Sequence, residues 1–465
     1  IDATGKPHAH QINALFTLSE STIGTTRINL VLNGQLMKKS WQGYLRRLTI
    51  QSRMLGRWRL NNPAQMRIST TQITSTPICI RSTRGRACLQ GEWHRQQAWQ
   101  MQLTASGINI TPVLTLFKLN LHVQTPVTIN AKATGQGAAF KQAMLTMKFG
   151  RGSFYVPAGV ANARLRFSGG TLIATLDAAG LNANLQLNLS SRDTINARIM
   201  LPGYALTKTF SPTQPLQGVV NINATNLKIL GEIIPNIIKP KGKLQASLNI
   251  SGTLAKPSVS GQIKLQQGSV QIPELHLTLT NINIDLSASG ATIIYDIQAY
   301  SQHKLIQVSG KTQLDAPGRP TQLKIQSNDV LVMNTAEYII YATTALIVDI
   351  KGHQIHVGGV VTIPRAVLKP IAFNGVVTLP EDVVFVGPTN TKQSHWYVTT
   401  NIKIVIGNNV KIDSHGLTGR LTGQLVIIKK PAHTYIVDGK IGIIGGVFTT
   451  HGKTLIIERG SAITF

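Results

Sequence analysis

Val259-Ser260-Gly261-Gln262-Ile263-Lys264-Leu265-Gln266-Gln267-Gly268-Ser269-Val270 is a phrase that this chain uses three times. Its skeleton is V-x-G-x-I-x-I-x-x-G-x-V. Val437, Gly439, Ile441, Ile443, Gly446 and Phe448 repeat it position for position, and Val357, Gly359, Val361, Ile363, Ala366 and Leu368 give a looser copy. The apolar residues fall at every second position. That is strand periodicity, and it puts them on one face. The second glycine is expected to mark a bend or turn before the next strand begins. A chain that repeats one amphipathic strand builds a sheet with one apolar and one wet face.

Outward from this phrase the alternation continues. Leu275, Leu277 and Leu279 share a face, as do Ile282, Ile284 and Leu286, with His276, Thr278, Asn283 and Asp285 between. Gly or Pro recurs about every ten residues at Gly252, Gly261, Gly268, Pro273, Gly290 and Gly310. That spacing predicts many short antiparallel strands. Toward the start, Arg27–Leu32 and Tyr44–Ile50 alternate well, and Trp58-Arg59-Leu60 leads to a turn at Pro63-Ala64.

Two stretches break the rhythm. Ile110–Leu119 reads as a short helix capped by Thr111, with Pro112 in its first position. Leu227, Leu230, Ile233, Ile234, Ile237 and Ile238 follow helical spacing, with Asn226 as a cap, Pro235 as a kink and Lys239-Pro240-Lys241-Gly242 as the end. Such a helix is a lid or membrane-facing element, or a plug on the apolar face.

Closed barrels and sandwiches also show this pattern. The repeat, the length of 465 residues without a clear linker and the mid-chain helices favour an open, elongated, all-β sheet. Roughly 35–40 strands at ~4.8 Å spacing would run ~170–190 Å, a distance on the scale of a cell envelope. The chain divides into segments 1–105, 106–250 (with the helices near 111–119 and 226–238) and 251–465.

Only 14% of residues are charged and 5% aromatic, so Asn, Gln, Ser and Thr must supply the wet surface. Lys and Arg number 46 against 18 acidic residues, a formal charge of +28. This favours anionic partners: phospholipid, lipopolysaccharide or nucleic acid. A solvated basic face is the alternative. The runs are short (Arg46-Arg47, Lys429-Lys430, Arg84 with Arg86) and not interleaved with aromatics, which argues against nucleic acid.

Cys79 and Cys88 flank Ser82-Thr83-Arg84-Gly85. A hairpin turning there places them opposite each other and predicts a disulfide worth roughly 2–3 kcal/mol, in an oxidising compartment such as a bacterial periplasm. Two buried free thiols are the alternative. No metal site is expected from two cysteines without a histidine pair. His353 and His356 would face opposite sides of a strand, and Asp285, Asp349 and Asp382 stand alone. No phosphate loop, nucleophile elbow or carboxylate pair is present, so neither an enzyme nor a cofactor is expected. No window offers the ~18 apolar residues of a membrane span. The start on Ile1 and the stop on Ile463-Thr464-Phe465 suggest a fragment.

Several motifs in order resemble the TamB family within the AsmA-like, bridge-like lipid-transfer proteins. Gly252-Thr253-Leu254 with Pro257, Val259 and Gly261 is similar to its G-T-L-x-x-P-x-V-x-G. Gly359–Pro370 is similar to its G-x-V-x-I-P-x-A segment. Asp382-Val383-Val384, Gly416–Gly423 (G-L-x-G-R-L-x-G) and Leu455, Ile457, Arg459 and Gly460 (L-x-I-x-R-G) continue the series. The cysteine pair followed by Gly91-Glu92-Trp93 resembles its C-L…C-L-x-G-x-W, with Ile80 in place of the first leucine. Leu379-Pro380-Glu381 departs from the family's Ser-x-Asp. The resemblance is densest over 250–465. It implies a periplasmic, U-shaped (β-taco-like) antiparallel sheet with a lengthwise hydrophobic groove, and an N-terminal inner-membrane anchor beyond this chain. It also implies phospholipid movement to the outer membrane, and outer-membrane protein assembly and autotransporter secretion with a TamA-like insertase.

The residues expected to line the groove are Ile263, Leu265, Leu275, Leu277, Leu279, Ile282, Ile284, Leu286, Val361, Ile363, Ile441, Ile443, Leu455 and Ile457. Two alternatives stay open. These residues can pack against an opposing sheet as ordinary core, or the chain can be a chaperone-like scaffold whose sheet edges pair with nascent barrel strands.

Overall fold

The structure is a computed structural model. It describes residues 1–465 except 21–23, 38, 53–55, 112–121, 138, 159–160, 206–210, 235, 372–396, 431–434 and 459. The described residues form thirty-two strands, one α-helix and one 3-10 turn. The all-β expectation is met, and the sheet is mostly antiparallel.

Two expectations change. The helix expected over 226–238 shrinks to Leu230–Ile233, and Ile238 already opens the strand Ile238–Gly252. Most of its apolar positions are β-branched isoleucine, which suits a pleated sheet better than a helix. Asn226 does not cap the helix. Its Oδ1 accepts from the Lys228 backbone N–H at 3.3 Å, and the residue at the N-cap is Ile229. The helix expected at 111–119 falls, beyond Thr111, outside the described residues, as do Pro235, Asp382-Val383-Val384 and Arg459.

The chain divides into two compact units. The first holds Ile1–Ala224 and Ser247–Ser258. Its strands Asp2–Lys6, Ala9–Glu20, Gly24–Met37 and Ser40–Ser52 pair in sequence order. Ser40–Ser52 then pairs with two short strands at once, Gly56–Leu60 and Ala64–Ser69. Their branches continue through Ile78–Arg81 and Gln72–Ser75 and rejoin at Arg86–His94. An antiparallel series follows from Ala98–Ile108 to Gln217–Ala224. His122–Gln124, Gly152–Ala158 and Ala161–Phe167 form a separate small sheet. Cys79 and Cys88 are direct register partners, and their sulfurs are bonded. The Ser82 N–H donates to Gly85 O at 2.8 Å and closes the turn.

The second unit holds Thr225–Ala246 and Val259–Phe465. Pro257–Ile272, Leu277–Ser289, Thr292–Ser301, Lys304–Gln313, Thr321–Asn334, Tyr338–Lys351 and Gln354–Leu368 pair in order, all antiparallel. Gln354–Leu368 then pairs in parallel with Tyr397–Ser414. Antiparallel pairing resumes through Leu417–Lys429 and Tyr435–Thr450 to Lys453–Ile457 and Ala462–Thr464. Among the described residues no pairing joins the first strand of this series to the last, so the unit is an open sheet and not a closed barrel.

The strands are longer than the glycine spacing predicts. Tyr397–Ser414 has 18 residues, and Gly261, Gly268 and Gly310 lie inside strands. The repeated phrase is therefore one strand with a fault in it, not two strands and a turn. Its first glycine has the same left-handed φ in all three copies: +127° at Gly261, +130° at Gly359 and +140° at Gly439. A Cβ there would collide with the neighbouring strand's carbonyl, that of Ala345 at Gly359 and that of Gln424 at Gly439. Only glycine keeps the ladder at that point. Before the phrase's second small residue (Gly268, Ala366, Gly446, all buried) the register slips by a β-bulge in every copy.

Candidate functional site

The bulges decide which residues share a face. Simple alternation from Leu265 would send Gly268 and Val270 to the opposite side. The bulge after Leu265 restores them, so Val270 pairs with Leu279 and Ile272 with Leu277 on the side of Ile263 and Leu265. A second slip beside Asn281, which has φ +47°, puts Leu277 and Leu279 on the face of Ile282, Ile284 and Leu286. The two leucine and isoleucine triplets thus become one surface, apart from Leu275. That residue lies in the 3-10 turn Pro273–Leu275.

Directly opposed residues in a sheet point the same way. Following register partners strand by strand gives Leu265, Ile284, Ile297, Val308, Ile325, Leu346, Gly359, Ile402, Ile427 and Val437. This row crosses ten strands with no polar residue. Val361 and Ile363 join the same face through Ile404 and Ile406, and Ile441 and Ile443 through Gly423 and Leu421. Leu455 and Ile457 oppose Phe448 and Gly446 on this face, at the short strand Lys453–Ile457, where Leu455 is 58% exposed.

The row one residue away faces the other side. It runs Lys264, Asp285, Asp296, Ser309, Lys324, Ile347, Gly358, Asn401, Ile428 and Ile436. Lys264 and Asp285 form an ion pair at 3.4 Å there. The wet face is polar over its first half and mixed over its second.

Burial tells how the apolar face is covered. Apart from buried Leu265, its large residues are half-buried: Ile284, Ile297, Val308, Ile325, Leu346, Ile402, Ile427 and Val437. Full burial on this face clusters beside the bulges, at Leu277, Val330, Ala342, Ala366 and Val410, and occurs also at Thr312 on unbroken ladders. A sandwich core would bury the whole row. The chain exposes 29835 Å², against roughly 17,000 Å² for a compact monomer of its size.

The bulged side of the face is braced by Ser301. It is 1% exposed, and its Oγ donates to Leu331 O at 2.7 Å past the end of the strand Lys304–Gln313. The histidines and the carboxylate weighed for chemistry lie off the face. His353 lies in a turn, His356 Nδ1 is 3.0 Å from Thr399 Oγ1, and Asp349 accepts from Gln322 Nε2 at 2.9 Å. Among the described residues no three His, Cys, Asp or Glu side chains converge on a metal position. Among them, too, no helix is long and apolar enough to cross a membrane.

Six of the ten row residues were not singled out from sequence. Ile297, Val308, Ile325, Leu346, Ile402 and Ile427 sit in plain alternation, so the signal was there. Which neighbour each would oppose was not.

A repeated one-sided strand, a conserved backbone fault within each repeat and an open sheet with an uninterrupted apolar row define a repetitive all-β protein built around a surface. The family comparison names the class. A model of the TamB N-terminal domain matches residues 1–265, and one of the TamB C-terminal domain matches residues 295–465. The chain belongs to the TamB family. It is 20% identical over 466 aligned residues to the translocation and assembly module subunit TamB of Haemophilus influenzae. That alignment covers 93% of this chain and 34% of the relative, so the chain spans about a third of that protein's length. No solved structure matches the chain.

Proposed function

We propose that this chain is a segment of a lipid conduit in the bacterial envelope. Its apolar face would carry phospholipid acyl chains between the inner and outer membranes, in support of outer-membrane protein assembly and autotransporter secretion. The observation that carries this reading is the row from Leu265 to Val437, apolar across ten strands and only half covered. An acyl chain in water costs roughly 0.8 kcal/mol per exposed methylene. A continuous apolar strip removes much of that cost at every point, so a chain can slide along it without a specific pocket. Headgroups would stay at the wet rim. The periplasmic location, the inner-membrane anchor and a TamA-like partner belong to the same proposal and rest on the family membership.

Val348 and Ile347 give a clean test. Val348 opposes Leu323 and Val357 on the apolar face; Ile347 is its apolar neighbour on the other face, 46% exposed. A photocrosslinking residue at each position, in the full-length protein in cells, should capture phospholipid at 348 and not at 347. Lipid at both would mean nonspecific hydrophobic capture. Barrel proteins captured at both, without lipid, would favour the scaffold reading, in which sheet edges template client strands. No adduct at 348 would remove the basis of the conduit.

A further inference from the structure

The positive charge that reads as scattered along the sequence is gathered by the fold. Residues 21–91 contain twelve Lys and Arg and no Asp or Glu. In the first unit, register partners place Asn29, Thr49, Arg59, Arg81 and Arg86 in one row across five strands. Arg27, Gln51 and Arg57 form the next row on the same face, and Val31 with Arg47 the row on its other side. Six arginines thus share one side of the sheet, each exposed. Arg27, Arg47, Arg57 and Arg59 line a single shallow concavity with Arg46 and Leu15.

This arrangement is unfavourable on its own. Like charges directly opposite each other destabilise a sheet, and here Arg59 opposes Arg81, which opposes Arg86. Among the described residues no carboxylate lies within ion-pairing distance of any of the six, because the ion pairs found lie elsewhere. The opposite face of these strands is apolar, with Phe16, Ile28, Ile50 and Trp58 in register. The basic groups therefore all lie on the side away from that apolar face.

We infer that this face docks on the surface of an anionic phospholipid bilayer. The array is two-dimensional, spaced about 4.8 Å between strands and about 6.7 Å between alternate residues along them. A plane of phosphates matches such a plane of guanidiniums, and guanidinium is the side chain suited to bidentate phosphate contact. Leu15, 64% exposed in the concavity, adds an apolar contact at the headgroup boundary. A nucleic acid would call for a track of stacking aromatics, whereas on this face Tyr44 stands as a single ring with Arg46 stacked over it. The inference does not depend on whether the apolar face of the second unit carries lipid.

The test is vesicle flotation of the whole chain, with phosphatidylcholine vesicles alone and with vesicles containing phosphatidylglycerol. The chain should float with the anionic vesicles only, and 0.5 M salt should release it. Arg47→Gln/Arg59→Gln/Arg81→Gln should weaken binding roughly 100-fold. Lys311→Gln/Lys324→Gln/Lys403→Gln, an equal loss of exposed charge in the second unit, should weaken it less than threefold. Equal losses in the two triple variants would show that net charge alone binds, and would overturn the assignment. So would binding to phosphatidylcholine that salt does not touch, or displacement by millimolar inorganic phosphate or by an oligonucleotide at lower concentration than by anionic vesicles. If the arginine variant fails to fold, hydrogen exchange of the wild-type chain on anionic vesicles decides: protection should appear over residues 27–59 and 81–86 and be absent over 304–351, and equal protection in both units would overturn the assignment.

Discussion

Arg365 grips Asp329 with both arms: its Nε donates to Oδ1 and its Nη2 to Oδ2, each at 3.0 Å, while the guanidinium lies 3.5 Å above the ring of Tyr341. The two residues are not strand neighbours; Tyr341 lies between them, opposing Leu331 on one side and Arg365 on the other. Both sit at bulges. Asp329 has φ +49° where the strand Thr321–Asn334 slips, and Arg365 follows the slip of the middle repeat copy. The clamp ties two faults in adjacent ladders together on the wet face.

Removing the fork should therefore loosen both bulges. Arg365→Lys keeps the charge but loses the planar two-point geometry, and it should lower the melting temperature nearly as much as Arg365→Gln. Asp329→Asn should do the same, and the double variant should be no worse than either single one. Additive losses in a thermal double-mutant cycle would show that the pair does not act as a unit. The hydrogen bond to Asp329 raises the Arg365 pKa above its ordinary value. A raised basic pKa stabilises fully below the unfolded value and is lost only as pH rises through the folded one. The contribution of Arg365 should thus be flat with pH across the neutral range.

The repeat's first glycine makes a sharper prediction. Gly359→Ala places a methyl against the Ala345 carbonyl at a φ that alanine avoids, and should cost about 1–3 kcal/mol in urea unfolding. Gly352→Ala, in the preceding turn at φ +59° with open space around it, should cost about 1 kcal/mol or less. If the two variants unfold alike, the backbone fault is not what the repeat preserves.

Ser301 is the brace whose loss is easiest to isolate. Ser301→Ala leaves the Leu331 carbonyl without its hydroxyl partner at a position 1% exposed, and should destabilise by about 1–3 kcal/mol. Ser327→Ala, whose Oγ is shared between Ala342 O at 3.4 Å and Thr344 Oγ1 at 2.9 Å, is the milder comparison and should cost about 1 kcal/mol. Chemical denaturation of the two variants orders them.

The disulfide closes a loop within one hairpin, between residues 9 apart. Its removal by Cys79→Ala/Cys88→Ala should cost roughly 2–3 kcal/mol. The effect should be local, because Ile78–Arg81 and Arg86–His94 belong to the first unit. Hydrogen exchange should rise around residues 78–94 and remain unchanged over 321–368; a uniform rise would contradict this.

Much of the architecture was legible in the chain. Alternation identified strands because a strand's side-chain period is two whatever it pairs with, and the Cys79–Cys88 hairpin was readable because its partners are close in sequence. The helix at 226–238 was misread because isoleucine at helical spacing also satisfies a sheet, and the ten-residue glycine punctuation misled because glycine marks faults within strands as well as their ends.

By itself, then, the sequence determined that this protein is a repetitive sheet with one apolar side, and it marked Gly261, Gly359 and Gly439 as a recurring position within the repeat. Periodicity suffices for both; that only glycine fits there follows from the neighbouring strand's carbonyl. Only the tertiary structure decided the parallel pairing of Gln354–Leu368 with Tyr397–Ser414, the bulges that rotate Leu277 and Leu279 onto the face of Ile284, and the alignment of Arg59, Arg81 and Arg86. Each depends on the register in which strands pair, which alternation along one strand does not set. A slip of one residue inverts a face, and no local pattern contains the partner that prevents the slip.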